Sequence, residues 1–101
     1  MKNIYIYPAI FSYANDYDDD DDISVEFFNL DGVFTFGTTP KEAHYKAKNC
    51  LESYLYKMGK HGETIPTPPK KSDIKLKKNQ AIEMIIVNMR LIRDEMHKTV
   101  V

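Results

Sequence analysis

The residues of this 101-residue chain best placed to do chemistry are carboxylates. Asp16, Asp18, Asp19, Asp20, Asp21 and Asp22 fall within seven consecutive positions. Oxygen-rich runs hold Ca²⁺ when a glycine turns the loop and a bidentate glutamate closes it. An EF-hand register starting at Asp16 puts Asp21 at the glycine position and Phe27 at the glutamate position, so both requirements fail. Crowded aspartates also repel one another and resist strand formation. The run therefore reads first as a solvated loop, next as an electrostatic contact for a basic partner, and last as a metal site.

Other constellations are thinner. Metal-dependent hydrolysis of a nucleic acid needs several carboxylates converging on Mg²⁺. The candidate strands offer only Glu26 and Glu83, and the first strand has no aspartate. His44, His61 and His97 lack metal-ligand spacing and a partner nucleophile, which points to surface roles. Cys50, the single cysteine, has no disulfide partner within the chain. It reads as a small helical core residue in a reducing, cytoplasmic setting. Lys70, Lys71, Lys75, Lys77 and Lys78 come without arginine or interleaved aromatic residues, and a solvated connector outranks a phosphate-binding site. These residues predict a binding protein rather than an enzyme, with no cofactor and no metal.

Net charge is only −1, yet it is divided. Residues 1–31 set one lysine against eight acids, for −7, and residues 32–101 set thirteen bases against seven acids, for +6. Such asymmetry steers a charged partner without naming one. No apolar run approaches the roughly 20 residues of a membrane span, and no signal peptide is visible.

The elements that must position these residues are legible in outline. Residues 4–13 are aromatic and β-branched and read as a strand, in which Pro8 argues for an edge or a bulge. Residues 23–30 form a second strand, with Val25 and Phe27 on one face and Glu26 and Phe28 on the other. Asp31-Gly32 is a two-residue hairpin signal leading into a third strand at 33–36. Thr39, Pro40 and Glu42 spell an N-cap, a first helical position and a capping box. The helix runs over 40–58 with a stripe of Ala43, Ala47, Leu51, Tyr54, Leu55 and Met58, and Gly59 or Gly62 ends it. Residues 65–69, with three prolines, must be extended. The apolar run 82–87 reads as a fourth strand buried on both faces, and Asn88 caps a short final helix bearing Leu91, Ile92 and Met96.

This order predicts one α+β domain over 1–98 with a tail at 99–101. Its β-β-β-α-β(-α) topology gives a four-stranded mixed sheet of order 3-2-1-4, covered on one face by one long helix. A right-handed crossover through that helix would lay the fourth strand parallel to the first. Among Tyr5, Tyr7, Phe11, Tyr13, Phe27, Phe28, Phe34 and Phe36, alternate members must face the uncovered side, where a partner chain would supply a second layer. Homo-oligomerisation, as a dimer or higher, is expected through the fourth strand or the final helix, with Leu91, Ile92 and Met96 as its candidate residues.

Tyr7-Pro8-Ala9-Ile10-Phe11, Val25-Glu26-Phe27, Leu30-Asp31-Gly32-Val33 with Thr35, Gly37-Thr38, Glu42-Ala43 and Gly62-Glu63-Thr64-Ile65-Pro66, in that order, resemble the HicB family of antitoxins from bacterial toxin–antitoxin pairs. The likeness covers residues 4–66 and, more loosely, 80–98. It departs at Phe28-Asn29, where the family usually has Pro-Asp, and at Val33, where it often has Cys. The resemblance implies a partial ribonuclease-H-like sheet that binds and masks a small basic HicA toxin, an mRNA-cleaving enzyme. Many family members add a C-terminal DNA-binding domain; this chain stops about where one would begin, and no autonomous DNA binding is expected of it. The candidate toxin-binding residues are Asp18, Asp20 and Asp22 as charge complements and Phe28 as an apolar anchor. A stand-alone protein- or RNA-binding domain of the same fold is the alternative, and a metal-dependent nuclease ranks third.

Overall fold

Alternate side chains of the strands fall on two faces of one sheet; one face packs against a helix, and the other keeps exposed apolar residues toward its edges. A computed structural model of the protein describes residues 4–13, 22–28, 30 and 32–90. Strand β1 is Ile4–Ser12, β2 Ile23–Phe27, β3 Phe34–Gly37 and β4 Gln80–Asn88; helix α1 is Pro40–Lys60, and a 3₁₀ turn spans Lys71–Asp73. The strands form one four-stranded sheet of order β3-β2-β1-β4.

Tyr5, Tyr7, Ala9 and Phe11 of β1, Ile23, Val25 and Phe27 of β2, and Ile85 and Val87 of β4 point to one face. There they meet Ala43, Ala47, Leu51 and Leu55 of α1 in a single core. The helix begins as its sequence dictates. Thr39 Oγ1 accepts from Glu42 N–H at 3.1 Å, and Pro40 follows the cap. The return bond lands one residue early, with Thr38 N–H donating to Glu42 Oε1 at 3.2 Å. That hydrogen bond, with the Lys46 ammonium 3.6 Å away, holds the Glu42 carboxyl below its ordinary range. The end is a complete Schellman motif. Gly62 adopts φ 69°, Glu63 N–H reaches Met58 C=O and Gly62 N–H reaches Gly59 C=O. Gly62 therefore ends the helix, and Gly59 lies inside it.

Several expectations need correction. The sheet is antiparallel throughout, not mixed: Ile4 pairs with Asn88 and Ser12 with Gln80. The helix, about 31 Å long at 1.5 Å per residue, carries the chain from the Gly37 end of the sheet to the other end. The proline-bearing connector then travels the whole length back before β4 starts. Tyr7 hydroxyl donates to Pro66 C=O along that path, and Ile65 packs on the core. Next, β4 is an edge strand rather than a doubly buried one, with Met84 and Ile86 exposed. Finally, β2 stops at Phe27 instead of running to residue 30. Leu30 is buried in the core, which pulls the chain off the ladder, and the last cross-strand bond is Phe27 N–H to Val33 C=O. Gly32 (φ 77°) still takes its turn between Leu30 and Val33, whose N–H bonds Leu30 C=O, but within a wider loop. Pro8 lies in an interior strand, yet β1 pairs with β2 only from Ala9 onward, so the proline falls where β2 has already ended.

Candidate functional site

On the side away from α1, the sheet carries Ile4, Ile6, Pro8 and Ile10 of β1, Ser24 and Glu26 of β2, Phe34 and Phe36 of β3, and Ile82, Met84 and Ile86 of β4. Pro8 and Ile10 are buried in its middle. The exposed apolar residues therefore split into two patches, one toward each edge: Phe34 and Phe36 on β3, and Met84 and Ile86 on β4 with Ile4 and Ile6 beside them.

The β3 patch has the features of a recognition site. Phe34 and Phe36 are 59% and 52% exposed, and their rings meet edge to face with centroids 6.1 Å apart. Their phase is set from beneath. A Cβ on Gly37, their neighbour, would run into Ala43 of the helix, so Thr35 and Gly37 face inward and the phenylalanines outward. A shallow groove lined by Ile10, Glu26, Phe28, Leu30 and Phe34 adjoins them. Such rigid aromatic anchors beside an acidic residue suit a basic partner with an apolar contact point.

Of the candidate toxin-binding residues, Phe28 is half-buried and lines this groove. Asp22 is exposed and immediately precedes β2. The two sit at opposite ends of β2, about 20 Å apart at 3.3 Å per residue, so only a surface running the length of the strand includes both. Asp18 and Asp20 lie outside the described residues, as do Leu91, Ile92, Met96 and His97. Sequence reasoning placed Phe34 and Phe36 among the aromatic residues to be sorted by face without singling them out. Counting back from Gly37 would have done so.

The remaining chemistry-bearing groups are dispersed. Glu26 stands opposite Ile10 and Glu83 opposite Ala9, which puts the two carboxylates on opposite faces of the sheet, where they cannot share a metal. Among the described residues no three His, Cys, Asp or Glu side chains cluster as metal ligands. His44 Nδ1 lies 3.9 Å from Glu83 Oε2, and its ring is 6.4 Å from that of Phe11; His61 is exposed at the helix end. Cys50 is half-buried with Sγ 3.8 Å from Phe34 C=O, and burial pushes its thiol pKa up, away from the reactive thiolate. The five connector lysines are exposed. No helix among the described residues is long and apolar enough to cross a membrane.

No protein-family model and no curated protein sequence matches the chain. Solved structures do. A chain of a toxin–antitoxin complex from Streptococcus pneumoniae superposes with a TM-score of 0.74 at 18% identity, over 88% of this chain and 72% of that one. The N-terminal domain of the Burkholderia pseudomallei antitoxin HicB superposes with a TM-score of 0.62 at 16% identity, over 78% of this chain and 95% of that one. At such identities the likeness is one of fold, and the fold is HicB-like.

Proposed function

We propose that this protein is the antitoxin of a HicA/HicB-type pair and neutralises a small basic, mRNA-cleaving toxin by covering it. The observation that carries the reading is the match of nearly the whole HicB N-terminal domain to this chain. The bare β3 side of the sheet supports it with what a masking surface needs: exposed aromatic anchors at Phe34 and Phe36, a groove at Phe28, and an acidic neighbour in Glu26. The aspartates of residues 16–22, which precede β2 in the sequence, add negative charge to the chain there. The mechanism is steric and electrostatic, with one antitoxin chain blocking one toxin and no turnover.

The test is to capture the partner with tagged protein from its host, purify it, and assay its RNA cleavage as antitoxin is added. Cleavage should fall linearly and vanish at one chain per toxin. A captured partner that still cleaves RNA in the complex, or one without ribonuclease activity, would exclude the role. Combined Phe34→Ala and Phe36→Ala should weaken binding by about 2 kcal/mol, roughly thirtyfold, while stability falls by about 0.5 to 1.5 kcal/mol, the worth of the edge-to-face pair that is lost, with the far-ultraviolet circular dichroism spectrum unchanged. Changing Asp18, Asp20 and Asp22 to Asn should weaken binding further and flatten its salt dependence.

A further inference from the structure

The second patch has a chemistry of its own. β4 is the long edge of the sheet, nine residues against four in β3 at the other edge. Antiparallel pairing with β1 uses only alternate N–H and C=O groups of β4 and leaves the others pointing outward. Among the described residues, no backbone hydrogen bond from a loop or the connector reaches Ala81 through Val87. Proteins ordinarily blunt such an edge with lysine, proline or a bulge. This strand has neither lysine nor proline, and its pairing with β1 runs without a break from Gln80 to Asn88. Its single charge, Glu83, points to the helix side, near His44. On the open side Ile82, Met84 and Ile86 present an unbroken apolar row, and Ile86 is 55% exposed.

We infer that β4 pairs antiparallel with β4 of a second copy of this chain about a two-fold axis at Met84. A two-fold interface must be complementary to itself, and this row is: Ile82, Met84 and Ile86 read the same in both directions. The axis sets Ile82 against the second copy's Ile86 and Met84 against its own counterpart, with Gln80 meeting Asn88 at the uncharged ends. Two sheets become one of eight strands, with both helices on one face. A strip about 30 Å long and about 10 Å deep on each copy amounts to roughly 600 Å² in all. That is below the 1,200 Å² or so of a standard interface, so the dimer is concentration-dependent and rests on the ladder of backbone hydrogen bonds as much as on area.

The experiment is sedimentation equilibrium of the full chain across a concentration series, together with site-directed cross-linking in a Cys50→Ala background. The mass should climb from 11.8 kDa toward twice that value, and Ile86→Lys, at an exposed position, should hold it at the lower value with the circular dichroism spectrum unchanged. A short bismaleimide should cross-link Met84→Cys to itself. It should join Ile82→Cys to Ile86→Cys in a mixture and should not cross-link Ile82→Cys alone. A constant 11.8 kDa mass throughout the series would overturn the inference. So would a dimer that persists with Ile86→Lys, or one in which Ile82→Cys links to itself, since either places the contact elsewhere.

Discussion

Gly37 shows how a single residue fixes the proposed recognition surface. A Cβ built on it would lie 2.8 Å from Ala43 Cβ and closer still to the Ala43 backbone, so only glycine lets β3 descend onto the start of α1. Because the obstacle is backbone, it cannot swing away. Gly37→Ala should cost about 1 to 3 kcal/mol, the usual penalty of overpacking, measurable by urea denaturation. It should also weaken toxin binding, because the displaced strand carries Phe36. Unchanged stability would mean that the helix start yields more easily than its packing suggests. Tyr7 makes the complementary case on the other flank. Its hydroxyl donates to Pro66 C=O, and burial, with Tyr5 and Tyr54 nearby, pushes its pKa up to about 12. The unfolded chain loses that proton near pH 10. The Tyr7 contribution to stability is therefore complete below pH 10 and declines as pH rises from 10 toward 12. Tyr7→Phe should lower stability by about 1 kcal/mol at neutral pH and flatten the alkaline decline. An alkaline profile that Tyr7→Phe leaves as steep as before would assign the decline to other groups.

At the scale of elements, the helix is the part most fully written in the sequence. Thr39, Pro40, Glu42 and Gly62 each occupy the capping position their chemistry suits, and the apolar stripe from Ala43 to Met58 is the buried one. Strand identities and order were legible from aromatic and β-branched content and from the turn signal between β2 and β3; only β2 alternates cleanly, since β1 is buried on both faces over residues 7–11. The direction of β4 was not, because periodicity says where a strand is and nothing about which way it runs. The clue lay in residues 65–69. A proline-bearing stretch that can be only extended covers about 3 Å per residue, so a connector of that kind after a 31 Å helix can return the chain to its starting end. The parallel assignment rested on a crossover through the helix alone and gave this stretch no part in the path. The double burial inferred for 82–87 failed on a related point, since an apolar run fits an edge that binds another strand as well as a central strand. The connector also has an energetic role. Each proline restricts the unfolded chain and contributes about 0.4 to 1 kcal/mol where its conformation fits. Replacing Pro68 and Pro69 together with Ala should therefore lower the unfolding free energy by about 1 to 2 kcal/mol while β4 still pairs with β1. Hydrogen exchange read at β4 checks this: protection should fall in proportion to the global loss. Selective loss of protection at β4 alone would make the prolines a local brace of that strand.

At the scale of the whole molecule, the two exposed patches stand at opposite edges of one sheet, with the buried Pro8 and Ile10 between them. Three strand spacings of about 4.8 Å separate β3 from β4, roughly 14 Å in all. Energetic coupling between positions fades beyond about 7 to 10 Å when they share no partners. Toxin masking on one edge and self-pairing on the other are therefore expected to be independent. The two proposals together describe an assembly of two chains side by side, each with a toxin at its outer end. Ile86→Lys should halve the mass of the toxin complex without changing its stoichiometry, and should leave the toxin dissociation constant within a factor of about two, or about 0.5 kcal/mol. Phe36→Ala should do the reverse, weakening toxin binding while the antitoxin's own sedimentation is unchanged. The charge asymmetry sharpens the contrast. Excess negative charge lies in residues 1–31, which contain β1, β2 and the aspartate-rich run, whereas β4 bears the single charge of Glu83. Added salt should loosen the toxin contact and spare the self-association. If Ile86→Lys and Phe36→Ala each moved both equilibria, or salt weakened the two alike, toxin and second copy would be sharing one surface, and the two-edge arrangement would be wrong.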